Sequence, residues 1–388
     1  MVNYIEISQC QCWIFLIPRC NFKPPSLKKL NMKRIKRNPE KYAPLEVYSE
    51  FSRRRGYKLH VEEDIAAFMA SFGELLKASQ SNDMLVHGKR VEALFGNLAA
   101  GLGGCKFIKS EDAGESFAAD TDIQPPDYKL ILNDGTHIFV EVKNCNQENP
   151  KSSVLLHKDN IDKVERYGAL HGIPVYYAIY YRSINRWAMF PRSAFIELKR
   201  KYATNLIHSL ANNSMGMLGD LMIGTKPDLV FELIADKTKD ASIDENNQAS
   251  FIIGDVKNYC EDNEIDDYDE KTMAFYFMRF GDWDCGDAEA ILEENGELHS
   301  VRYTFKPESY ENAESNGFDF IGNLSSMITS AFNELTVSER QVTSIDTKLE
   351  PRAFSITIPE GYKGKKLPLW LMSQQPNTEF NTLEHTGQ

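Results

Sequence analysis

The sequence predicts a mixed α/β protein with two related cores. Each is expected to be a mixed central sheet flanked by helices, with an N-terminal helical extension and a C-terminal extension. Three observations carry that expectation. A short charged hairpin is written into residues 125–143. Much of its lettering returns between residues 226 and 258. Around both, segments with the 3.6-residue apolar period of helices alternate with short β-branched and aromatic runs.

The first hairpin reads PPDYKLILNDGTHIFVEVK, residues 125–143. Leu130–Leu132 and Ile138–Val140 flank Asn133-Asp134-Gly135, and Asp-Gly between two apolar runs is a strong signal for a tight β-turn. Asp127 opens the first strand, and Glu141 and Lys143 close the second. Being two residues apart, Glu141 and Lys143 point to one face, and the hairpin folds Asp127 back beside Glu141. Two close carboxylates repel unless a cation lies between them. Oxygen ligands alone suit Mg²⁺ or Mn²⁺ rather than zinc.

Pro126-Asp127 followed, after thirteen intervening residues, by Glu141-Val142-Lys143 resembles the PD-(D/E)xK nuclease superfamily, whose fold is restriction-endonuclease-like. The resemblance implies that the two acids hold a metal ion and that the lysine orients or activates the attacking water. It also implies a further acidic ligand from the helix before the sheet. Glu92, thirty-five residues ahead of Asp127, stands in that place. Glu197-Leu198-Lys199 and Asp346-Thr347-Lys348 also read acid-x-Lys, but neither follows a Pro-Asp strand.

The second hit begins at Pro227-Asp228 and ends at Asp255-Val256-Lys257, with twenty-six residues between the acids. The texts EVKNC (141–145) and DVKNYC (255–260) nearly repeat. Recurrence at about one small domain's spacing suggests tandem cores. Asp228, Asp255 and Lys257 are therefore candidate catalytic residues, the two acids also as metal ligands. The polar stretch 236–248 reads as a long hairpin loop, and Glu197 is spaced from the second motif much as Glu92 is from the first.

In chain order, residues 1–31 lack periodicity and are expected to be a disordered tail, and 32–83 a helical segment. Ile65, Phe68, Met69, Phe72, Leu75 and Leu76 give a helix from Asp64. Ser81-Asn82-Asp83 caps the next, over 84–100, which buries Val91, Leu94, Phe95 and Leu98. The first core is expected over 84–192: a strand at Cys105–Ile108, the hairpin, a helix over 157–171, a strand VYYAIYY, and a strand at 187–190. His157 and Lys158, at that helix's start, are within the class of phosphate contacts, although end decoration is the plainer reading. A helix over 192–212 leads to the second core, 193–310, with strands at 227–233 and 250–256, a helix over 268–280, and strands at 288–292 and 301–305. In the extension, 311–372, an amphipathic helix is expected over 319–335 and a strand over 353–358. These are either extra layers or a surface for a separate protein partner. Residues 373–388 are expected to be a disordered tail.

The net charge of −12 is unusual for a DNA-binding chain, but the charge is unevenly spread. Basic clusters fall at 23–37, Arg53-Arg54-Arg55 and Lys199-Arg200-Lys201, and acid is concentrated in 261–270. No run of eighteen apolar residues exists, so no membrane partner is expected. Seven cysteines, an odd number, suit reduced thiols and a cytoplasmic location. Cys10, Cys12 and Cys20 lack a partner group at zinc-site spacing. No GxxxxGK[ST], HExxH or GxSxG pattern occurs, which excludes a built-in NTP motor and two hydrolase classes.

The resemblance implies a Mg²⁺- or Mn²⁺-dependent DNA endonuclease, with a role in restriction or defence as the family habit. Two rivals are a repair or recombination nuclease acting on branched DNA, and an inactive nuclease fold that serves as a DNA-binding scaffold.

Overall fold

A computed structural model describes residues 32–34, 39–111, 117–119, 122–149, 151–244, 248–359, 361–377 and 380. The expected tail 1–31, its three cysteines and most of 378–388 lie outside the described residues. Two helices open the described chain, α1 (Pro39–Arg55) and α2 (Glu62–Gln80). A third, α3 (Asp83–Leu102), begins where the Asn82 side chain accepts a hydrogen bond from the Leu85 amide at 3.1 Å. α3 buries Val91, Leu94, Phe95 and Leu98, the stripe its period predicts.

The first sheet contains β1 (Cys105–Ser110), β2 (Tyr128–Leu132) and β3 (His137–Cys145). A short β4 (Val154–His157) follows and α4 (Lys158–His171) crosses over. Then come β5 (Val175–Tyr181) and β6 (Arg186–Pro191). The sheet order is β1-β2-β3-β5-β6. Only the β3–β5 contact is parallel, as a helical crossover requires. Gly135, at φ 97, takes the left-handed position in the β2–β3 turn that a Cβ would oppose. α3 covers one face of this sheet and α4 the other, where Ile161 and Val164 meet Phe139, Tyr177 and Ile179.

Residues 192–212 do not form the single helix expected of them. β7 (Ile196–Glu197) and β8 (Lys201–Thr204) come first, and β8 pairs with β4. The helix is confined to α5 (Leu206–Ala211), where the Asn205 side chain accepts from the His208 amide. Tyr202, Ala203 and Thr204 gain burial by pairing with a strand over forty residues earlier, which local periodicity cannot register.

The second half contains β9 (Met222–Thr225), β10 (Leu229–Ala235), β11 (Ser242–Ile243), β12 (Ala249–Ser250), β13 (Ile253–Cys260) and β14 (Asn263–Ile265). After α6 (Tyr268–Phe280) come β15 (Asp284–Cys285), β16 (Glu289–Leu292) and β17 (Leu298–Lys306). The main sheet runs β14-β13-β10-β17-β15, with β16 also on β17. Every pairing in it is antiparallel. This departs from the expected second copy of the first core. Of the strands after the helix, β17 joins β10, and β15 and β16 join β17, none of them the strand that carries Asp255 and Lys257.

Two further expectations are corrected. A short α7 (Glu311–Asn316) precedes β18 (Asp319–Asn323), and only then does α8 (Leu324–Thr336) begin. Gly322, at φ 136, sits at the irregularity where β18 pairs with β9, so residues 319–323 extend rather than coil. Residues 353–358 are not a strand, because Pro351 opens a 3₁₀ turn there and Ile356–Pro359 runs on as irregular chain. After two short strands, β19 (Val337–Ser338) and β20 (Gln341–Val342), the chain returns as β21 (Leu369–Met372) beside β9.

α8 joins the halves. Its Leu324, Met327, Ile328, Ala331 and Phe332 are buried in one apolar core with α3, α6 and both main sheets. The Trp187 indole N–H donates to Thr329 at 2.9 Å, and Arg90 donates to Asn333 at 2.7 Å. The amphipathic face expected to serve either as an extra layer or as a partner surface is used inside the chain.

Candidate active site

The β2–β3 register sets Tyr128 opposite Val140, which leaves Asp127 opposite Glu141 at the strand ends. Glu141 is buried, 5% exposed, and Asp127 is half-buried beside it. Asp127 is held by backbone, since its Oδ2 accepts from the Val142 amide at 2.6 Å. Lys143 reaches back along the same face, and its Nζ donates to Glu141 Oε1 at 2.6 Å. Alternation along β3 explains the grouping: Ile138, Val140 and Val142 face the α3 core, and Glu141 and Lys143 face the other way.

The electrostatics are those of crowded carboxylates. Burial, then the Glu141 charge, pushes the Asp127 carboxyl up to about 7, although the Val142 amide and Lys143 oppose the shift. Desolvation works against the Lys143 ammonium, yet Glu141 and Asp127 raise its pKa overall. The charge of Glu92, on α3, also acts on both groups. Its carboxylate pairs with Lys89 at 2.6 Å, and the Tyr128 hydroxyl donates to its carbonyl at 2.9 Å.

Among the described residues no three acidic, histidine or cysteine side chains converge into a ready metal cluster. Lys89 and Lys143 engage two of the three carboxylates. The donor set nonetheless fits a hard divalent cation: carboxylate oxygens, with Asp127 and Glu141 close enough to repel each other.

The second set is not brought together. In the β10–β13 register Leu229 faces Cys260, so Asp228 lies beside Glu261, whose amide donates to its carbonyl at 2.8 Å. Asp255 faces Ile234, six residues along β10 from Asp228, which is roughly 20 Å at strand rise. Asp228 accepts from the Tyr310 hydroxyl at 2.6 Å, and Lys257 pairs with Glu264 at 2.9 Å. The expectation of a second site at Asp228, Asp255 and Lys257 is corrected on that geometry. The motif spacing was compatible with a hairpin, but the strands pair out of the register that would join the acids. Glu197 does not supply it either, being tied to Lys158. That ion pair also engages the lysine considered for phosphate contact.

Two residues beside the first site were not singled out from sequence. Tyr177 lies next to Glu141 on β5, and its hydroxyl donates to Glu165 of α4 at 2.9 Å. Burial raises the pKa of both groups. The alternation of VYYAIYY was the available signal, but it could not say which tyrosine meets the acids.

No protein-family model and no curated protein matches the chain. Among solved structures, it is similar over 24% of its length to a Holliday junction resolvase from the archaeal hyperthermophile Archaeoglobus fulgidus, covering 77% of that chain at 17% identity with a TM-score of 0.19. At that score the likeness carries no weight for function. No helix among the described residues is long and apolar enough to cross a membrane.

Proposed function

We propose that the protein is a metal-dependent deoxyribonuclease with one active site, at Asp127, Glu141 and Lys143. One observation carries this reading: two carboxylates on adjacent strands, Glu141 buried and Asp127 half-buried, share a corner with a lysine ammonium. Asp127 and Glu141 would hold Mg²⁺ or Mn²⁺, with Glu92 as a third oxygen donor. An ion held there would supply Lewis acidity, making the attacking water easier to deprotonate and offsetting charge on the phosphate.

The chain's own residues do the rest. The Val142 amide fixes the Asp127 carboxylate from the backbone, so its free oxygen keeps one direction. Glu141 positions the Lys143 ammonium, which holds the attacking water and neutralises charge developing on phosphate oxygens. Burial of the acids raises the worth of each of these contacts. The second half supports the first core through α8 rather than adding a second cutting centre. No residue speaks for a restriction role.

The test is incubation with supercoiled, linear, single-stranded and branched DNA in Mg²⁺, Mn²⁺ or EDTA. Metal-dependent cleavage that Asp127→Asn and Glu141→Gln abolish is expected. Absence of cleavage on every substrate, with no Mn²⁺ uptake by calorimetry, would sink the reading and leave a binding scaffold.

A further inference from the structure

α2 carries one broad apolar face, one edge of which lies on α1. Phe68 points to α1, where its ring meets Tyr48 at 5.0 Å and Phe51 at 5.3 Å. The outer part of that face is Ile65, Met69, Phe72 and Leu76, spaced four, three and four residues apart, which is the seam period of two helices packed along their length; Phe72 also meets Phe51 of α1 at 6.1 Å. These side chains remain 44%, 60%, 37% and 49% exposed. An apolar stripe left this exposed marks an interaction surface.

We propose that a second copy of this chain docks on this face, α2 against α2 and antiparallel. The sequence of the helix is complementary to itself in that arrangement. A register that sets Ile65 against Leu76 and Met69 against Phe72 satisfies both copies at once, as a two-fold interface requires. The same register brings Lys77 to the acidic first turn of the other copy, Glu62, Glu63 and Asp64, at both ends of the seam. Parallel packing would instead set acidic turn on acidic turn. Antiparallel packing also opposes the two helix dipoles favourably. A lipid surface is disfavoured, because such a face carries a basic rim and α2 begins with three acids. The seam from Ile65 to Leu76 is about 17 Å long at helical rise.

The full chain should sediment with twice the chain mass at micromolar concentration. Met69→Glu and Leu76→Glu should each raise the dimer dissociation constant roughly tenfold or more, with the melting transition of the monomer unchanged. Lys77→Glu should weaken the dimer, and adding Glu62→Lys and Asp64→Lys should restore it. A single-copy mass at every concentration would overturn the proposal. So would a dimer that Met69→Glu and Leu76→Glu leave intact. A single-copy mass combined with a lower melting temperature in Met69→Glu would assign the face to another segment of the same chain.

Discussion

Asp127 Oδ2 accepts the Val142 amide hydrogen at 2.6 Å, tying the first acid of the site to the strand that carries the second. The contact makes one carboxylate's position a property of the hairpin register. It also leaves the other oxygen, Oδ1, free of that bond and aimed by it.

Asp127→Asn keeps the shape and can still accept from Val142, but it removes the charge. Cleavage should fall by at least about 100-fold. The metal-free protein should be no less stable to urea, and more stable at neutral pH, since the repulsion with Glu141 is gone.

The same group predicts a pH dependence. Its folded pKa is raised from the ordinary carboxylate value to about 7, so the native state binds a proton that the unfolded chain has released. Stability of the metal-free protein should therefore be fullest below about pH 4, fall as pH rises to about 7, and level off above it. Urea midpoints in EDTA should show this slope, and Asp127→Asn should lack it. Mn²⁺ affinity should rise over the same window, because the ion displaces that proton.

Lys143→Met should lower the rate by roughly 100-fold while Mn²⁺ binding persists or tightens, because Glu141 Oε1 is freed from the ammonium. Joint loss of binding and rate would show that the lysine holds the corner together instead.

Asp255→Ala and Lys257→Ala should leave cleavage of supercoiled plasmid within about twofold of the parent, since both side chains stand far from Asp127 in function and from Asp228 along the sheet. A plasmid that changes from linear product to open circle on either substitution would restore the second site.

Glu270 offers a test outside the chemistry. It is 4% exposed and accepts the amides of Lys365, Lys366 and Leu367 at 2.6, 2.9 and 3.0 Å. Glu270→Ala leaves these donors unpaired and should cost about 2–4 kcal/mol, read as a shift in the urea midpoint at constant slope.

The sequence was most readable where structure is local. Asp134-Gly135 marked the turn, and the period of α3 marked its buried face. Both depend on residues within a few positions of each other. The pairing of β8 with β4, the strand start at Asp319 and the antiparallel course of the second sheet depend on distant partners, and residue spacing does not encode them. The second motif shows the limit most clearly. EVKNC and DVKNYC nearly match as text, yet register decides whether an acid finds its partner, and register is set by the whole strand. α2 shows another limit: its apolar period was legible, but whether the face turns inward or outward was not.

The placement of α8 also bears on how the protein is made. α8 supplies side chains that close the α3 face of the first sheet, but it begins about 130 residues after β6 ends. At 5–20 residues per second, roughly 10–30 s separate the two on the ribosome. Through that interval the nascent first sheet has its hairpin and its acids but not its final cover, so the site can be shaped before the core that supports it is complete. Slowing translation between residues 191 and 324 should lengthen that exposure, and a chaperone that shields apolar surface should bind the nascent chain in that window.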